Sequence, residues 1–185
     1  DIQLYIDEEN KTSQQNKCPF YCLQAIVVKE NQGRLEVIDG QQRLSTILCF
    51  LKYLKLRYPV QKSLSEVELD WLETRVNNFK EQSYIDEMLA MDSIEKIRLE
   101  YISNRYIENL AYIHDCYNDI VNDENGKPDE FFLANIDSFI EYFLNDIYFV
   151  VVETVAGLSK TIQIFNTINT AGLDLNGDDL FKVRL

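Results

Sequence analysis

The chain has 185 residues, of which 46% are hydrophobic and 12% aromatic, enough apolar surface for a packed core and too much for a disordered tail. Its formal net charge of −13 works against binding a phosphate backbone unless the basic groups are gathered in one place. No Lys/Arg-rich run gathers them: from Asp123 to Lys182 the sequence carries eleven acids against three bases.

Only 6 Gly and 3 Pro are present, which disfavours a turn-rich all-β fold and suits long helices. Asp1–Ile6 is a candidate strand, followed by a polar loop through Lys17. Leu23–Lys29 is rich in β-branched residues and reads as a strand. Glu30–Gly33 is a turn, and Arg34–Ile38 is a second strand, so the two form a β-hairpin. This strand ends at Asp39-Gly40. Leu44, Ile47, Leu48, Leu51 and Leu54 then follow the three-and-four spacing of one helix face. That helix must end near Pro59, because the residue before a proline avoids the helical region.

Ser65-x-x-Glu68 has the form of a capping box, with Leu69, Leu72, Val76 and Phe79 as the apolar face of the helix it would open. Ser93 is a candidate cap for a longer helix that runs from Ile94 to Ile120 over about seven turns. Asp123–Pro128 breaks the pattern. Phe131 to Leu144 supplies one further helix. Ile147–Val155 is a continuous apolar run, consistent with a buried strand. Ser159–Ile168 reads as a helix, Thr170–Gly177 as a loop, and Asp179–Lys182 as the start of a last helix. The chain begins at Asp1 without a signal-peptide pattern and stops without closing structure, as a truncated chain would. No apolar run approaches the ~18 residues of a membrane span, and a cytoplasmic location is expected.

Four cysteines are present, Cys18, Cys22, Cys49 and Cys116. Only the first two are close, and no second Cys/His pair completes a metal set, so buried free thiols are expected. The one histidine, His114, lies mid-helix. It excludes a two-His zinc site and a His-Asn-His nuclease, and a Ser-His-Asp triad has no nucleophile elbow to support it.

The chemistry-bearing feature is the junction at Asp39. A helix start offers unpaired backbone N–H groups and the positive end of the helix dipole. Gly40 permits unusual dihedrals and close approach. Arg43, in the first turn, is placed to pair with an anion held there. Gln41 and Gln42 add neutral donors and acceptors. Asp39 would repel a bare phosphate, so in a functional reading it holds Mg²⁺ or positions a water. The bland reading stands beside this one: Asp39 caps the helix, Gly40 turns the chain, and Arg43 pairs with an acid elsewhere.

Asp39-Gly40-Gln41-Gln42-Arg43-Leu44-Ser45-Thr46-Ile47 resembles the signature D-G-Q-Q-R-L-T-T-L of the N-terminal domain of GmrSD-type IV restriction systems, a bacterial defence family of ParB/sulfiredoxin-like fold. A second stretch, Phe165-x-x-x-Asn169-x-x-Gly172-x-x-Leu175-x-x-x-Asp179-Leu180-x-Lys182, is similar to that family's F-x-x-x-N-x-x-G-x-x-L-x-x-x-D-L-x-K. The resemblance spans about residue 20 to the end. It implies an α+β class: a small ParB/sulfiredoxin-like mixed sheet with a strand–DGQQR–helix core and a large helical insertion. The parts would be 1–62, a helical subdomain 63–146, and 147–185 returning to pack with 1–62.

By the same resemblance the function is nucleotide binding and hydrolysis coupled to a nuclease domain or subunit, in phage defence against modified DNA. The cofactors are a nucleoside triphosphate and Mg²⁺, and DNA is touched only indirectly. Asp39, Gln42 and Arg43 are the catalytic candidates. Asp39 is also the metal ligand. Gly40, Gln41, Gln42, Arg43, Asn169, Gly172 and Lys182 bind the cofactor, with Asp179 helping to orient the pocket. The second motif reads equally as a helix C-terminus, with Gly172 just past its end and Leu175 packing back. Two departures are visible. The family's upstream F-Q-R-x-Y-x-W element is absent, and a single histidine excludes the His-Asn-His nuclease domain that many relatives carry. A non-enzymatic acidic interaction module over Ser63–Asp146 is the alternative reading. Direct nuclease action would rest on Asp174, Asp178 and Asp179, which helix capping explains without metal.

Overall fold

In a computed structural model, the described residues are 21–74, 80–97, 104–122, 126–153 and 160. They form an α+β arrangement of a three-stranded sheet and several helices. The described residues fall into two compact units: one takes in 22–41, 149–153 and 160, the other Tyr21 and the described residues between 42 and 148.

The first unit contains the sheet. β1 (Tyr21–Asn31) and β2 (Arg34–Asp39) form the expected hairpin, antiparallel, with Val28 opposite Val37 and Asn31 opposite Arg34. The turn is shorter than the sequence suggests. Only Gln32 and Gly33 lie outside the strands, with φ of 53° and 78°. Positive φ at both central residues suits the right-handed twist of the flanking strands. The side chain of Glu30 accepts from the Gly33 N–H at 3.0 Å, and Asn31 donates to Glu36 at 2.6 Å. Ile26, Val27 and Val28 are consecutive and all buried, so both faces of β1 are covered there. β1 lies between β2 and β3 (Ile147–Glu153). β3 was expected to be buried; instead Val150 and Val151 are 52% and 55% exposed.

The second unit is helical and built around α1 (Gln41–Arg57). Leu48, Cys49, Tyr53 and Leu54 are fully buried. They pack in one cluster with Leu64, Ile85, Met88, Leu110, Tyr117 and Phe132 from the elements that follow. α2 (Lys62–Ser65) is a single turn. The capping-box expectation fails at this point: Ser65 closes that turn, and no helix covers the described residues 66–74. Ser65 Oγ donates to the Lys62 carbonyl, so its hydroxyl serves the preceding turn. Leu69 and Leu72 still pack on the core from irregular chain. Val76 and Phe79 lie outside the described residues.

α3 (Lys80–Ala90) was not anticipated, because its buried face is narrow: Glu81, Ile85 and Met88. The long helix expected from Ile94 is interrupted. Asn104 is extended, at φ −132° and ψ 110°, and α4 (Arg105–Val121) starts afresh after it. The apolar spacing carries across this break and concealed it. Likewise Phe131–Leu144 is two helices, α5 (Glu130–Ala134) and α6 (Ile136–Asn145), divided at Asn135. Asn135 Nδ2 donates to the Phe131 carbonyl, and its own N–H reaches the Phe131 and Phe132 carbonyls, which closes the first helix.

Polar ties hold these helices in register. Asn104 accepts from the N–H groups of Tyr106 and Ile107 and donates to the Tyr84 carbonyl and to Glu87. Arg105 pairs with buried Glu81 at 2.6 Å. Buried Lys52 donates to the carbonyls of Leu89 and Met91 at 2.7 and 2.6 Å. Its burial lowers its pKa, yet both contacts call for an N–H donor. No helix among the described residues is long and apolar enough to cross a membrane.

Candidate functional site

The junction from β2 to α1 is the strand–turn–helix that the sequence anticipates. β2 ends at Asp39, one residue follows, and α1 begins at Gln41. That residue, Gly40, is buried and has φ 96°. An L-residue with a side chain avoids this region, so glycine is required for the chain to pass from extended to helical within one position. Asp39 is half-buried at the strand end. Gln41 is exposed, and its Nε2 donates to the Val37 carbonyl at 2.9 Å.

The division between the two compact units falls between Gln41 and Gln42, so the rest of the motif is described with the helical unit. There Gln42 is exposed and Arg43 half-buried, and Ser45 Oγ donates to the Gln42 carbonyl at 2.9 Å. From Leu48 onward α1 sinks into the core. The first turn is thus at the surface, on a helix whose later turns are fixed by packing.

Charge along α1 is one-sided. Its first turn holds no acid, and its last turn carries Lys55 and Arg57. Among the described residues the other helices of five or more residues, α3 to α6, each place an acid in the first turn: Glu81, Glu108, Glu130 and Asp137. Such acids complement the positive end of the helix dipole. At α1 the only cation of the first turn, Arg43, adds to that positive end instead.

Among the described residues no group of three or more His, Cys, Asp or Glu side chains comes together to hold a metal. Cys49 and Cys116 are free thiols in α1 and α4. Burial pushes the Cys49 thiol up to about 12, which leaves it protonated and inert at neutral pH. Cys22 lies in β1, and Cys18 is outside the described residues. His114 sits mid-helix in α4, its Nδ1 3.2 Å from the Tyr53 hydroxyl and its Nε2 3.0 Å from Asn118 Nδ2. That is a histidine tied into a helix pair, with both nitrogens engaged.

Asn169, Gly172, Asp179 and Lys182 lie outside the described residues, as do Asp174 and Asp178. Three working residues escaped the sequence reading: Lys52, Asn104 and the Gln41 side chain as a tie to Val37. Asn104 carried a legible signal, an Asn just before the periodic Tyr106 and Ile107. Lys52, inside the apolar run Leu51–Leu54, was a second one.

The family described as "GmrSD restriction endonuclease, N-terminal domain" matches residues 4–185 of this chain. No curated protein and no solved structure matches it.

Proposed function

Because the chain belongs to the family of GmrSD restriction endonuclease N-terminal domains, we propose that it binds and hydrolyses a nucleoside triphosphate and thereby controls the nuclease of a cytoplasmic restriction system directed at modified phage DNA. The observation that carries this reading is the β2–Gly40–α1 junction: a left-handed glycine leading into a helix whose first turn holds Arg43 and no acid. Backbone N–H groups at such a start, backed by the dipole, favour phosphate oxygens. The Arg43 guanidinium offers a planar, charged pair of donors to the same anion. Gln42 is the neutral partner that orients the attacked phosphate or the attacking water. ParB-like architecture is part of this proposal, through the motif.

Mg²⁺ fits this set in one way. Among the described residues no three-ligand cluster is present, and the carboxylate offered to the ion from them would be Asp39. Mg²⁺ commonly takes one or two carboxylates and completes its shell with substrate phosphates and water. When bound, the ion neutralises phosphate charge. Asp39 would hold it at the strand end, and Arg43 would orient the phosphates. Asn169, Gly172, Asp179 and Lys182 join the proposal by the motif resemblance alone, as a second wall of the pocket.

The test is thermal melting with and without a nucleoside triphosphate and Mg²⁺. Ligand that binds only the folded form at 100 times its Kd stabilises it by about 2.7 kcal/mol, a shift of several degrees. The shift should vanish in Arg43→Ala. A shift of equal size in that variant would overturn the assignment. A second reading, an acidic module that docks a basic partner, draws on the exposed carboxylates Glu66, Glu68, Asp70 and Glu73 around the exposed Trp71. Salt-sensitive binding of a basic protein with no nucleotide response would favour it.

A further inference from the structure

We infer that the side chain of Gln41 is a positioning residue, a clasp across the β2–α1 turn, and not a phosphate ligand; this rests on the nucleotide reading above. Gln41 Nε2 donates to the Val37 carbonyl at 2.9 Å. Only the nitrogen end of a carboxamide can face a carbonyl, so the contact fixes which way the amide points. The bond runs from the first residue of α1 back to a residue four positions earlier, still within β2. It therefore encloses Ile38, Asp39 and Gly40 in one ring. Gly40 is the weak point of that ring. Glycine reaches φ 96° without steric cost but also without steric restraint, and it loses more conformational freedom on folding than any other residue. A side chain that ties the strand to the helix on either side of it removes that freedom.

The consequence concerns the first turn. The N–H groups proposed to meet the phosphates belong to residues that α1 itself cannot hydrogen-bond. Their direction is set by whether the first turn is formed. In an α-helix that turn is closed by the N–H groups of Leu44, Ser45 and Thr46 on the carbonyls of Gly40, Gln41 and Gln42. The clasp holds those carbonyls in place. It also reserves one amide hydrogen of Gln41 for Val37, which turns the carboxamide toward its own strand. The neighbouring Gln42 is exposed and remains the glutamine available for direct contact.

Gln41→Met tests this, because it keeps the length and removes the donor. Gln41 is exposed, so the variant should fold, with a melting temperature lowered by only about 2–4 °C. Two measurements are then made against the unaltered chain. The first is amide hydrogen exchange at Leu44–Thr46 without nucleotide, expected to speed up about fivefold, the worth of one ordinary hydrogen bond. The second is titration with a nucleoside triphosphate and Mg²⁺, where Kd should rise by a similar factor. Faster exchange with an unchanged Kd would overturn the positioning role and leave a merely structural clasp. A weakened Kd with unchanged exchange would overturn it in favour of direct contact. If the unaltered chain binds no nucleotide, the nucleotide reading falls and the positioning role with it. The exchange measurement then still shows whether the clasp holds the turn.

Discussion

Two helices of 17 residues, α1 and α4, begin in opposite ways. α4 starts behind a buried asparagine that accepts from two first-turn N–H groups, and an acid, Glu108, follows in that turn. α1 starts behind a glycine, which has no side chain to offer those groups, and its first turn holds an arginine. The first arrangement satisfies the helix end from within the fold. The second leaves to glycine the work of turning the chain and concentrates positive charge at the end of it. The same physical problem, orphan donors at a helix start, is met at α4 by a side-chain cap, while the residue before α1 has no side chain to give.

The comparison can be broken most severely at Asn104. Asn104→Ala removes a cap and two donated bonds from a buried position and should cost about 2–3 kcal/mol, read as a lower urea midpoint. The nucleotide response of the folded fraction should persist. Next comes Gly40→Ala. Forcing a side chain into the left-handed region costs about 1–2 kcal/mol, so urea unfolding should show that loss and titration should show weakened nucleotide binding. Arg43→Ala should alter urea stability by less than about 1 kcal/mol while abolishing the nucleotide-induced rise in Tm. If Arg43→Ala destabilised as much as Asn104→Ala, the two helix starts would not differ in purpose.

The smallest effect at neutral pH concerns the buried flank of α1. The Cys49 thiol is raised in the folded state from 9.0 to about 12 by burial. An acid with a raised folded pKa contributes its full stability below the unfolded value and loses it as pH climbs toward the folded one. Stability should therefore be flat up to about pH 9 and decline above it, by urea midpoints across that range. Burial pushes Tyr53 and Tyr58 upward as well, which steepens the decline. At pH 8 Cys49 should resist alkylation while half-buried Cys116 reacts, as peptide mapping would show.

Much of this was readable from residues in a row. The hairpin, α1 and β3 stand out because β-branched residues, the three-and-four spacing and an unbroken apolar run each persist over whole elements. The Asp39–Arg43 junction is legible for a further reason: a glycine between a strand pattern and a helix pattern marks where the backbone must change region. The interruptions were harder. Across Ile97 and Tyr106 the apolar spacing continues, yet Asn104 is extended and caps a helix that starts afresh, and the partners Tyr84 and Glu87, distant in sequence, show why. The Ser65 box had the right letters, but its hydroxyl bonds backward. The Gln41 clasp needs the strand and the helix together before its reach to Val37 means anything.

Lys52 carries a last consequence, for how freely the sequence can drift. Its ammonium ties α1 to the chain at the end of α3 through two carbonyls. A leucine or methionine would fill the same volume and leave both acceptors dry, at about 1–3 kcal/mol each. An arginine keeps the donors but must fit a planar head where a compact one now sits. Position 52 touches no proposed ligand residue, and still it should accept almost no replacement. Among relatives, invariance there would mark the folding of the helical unit and would be misread as a sign of chemistry.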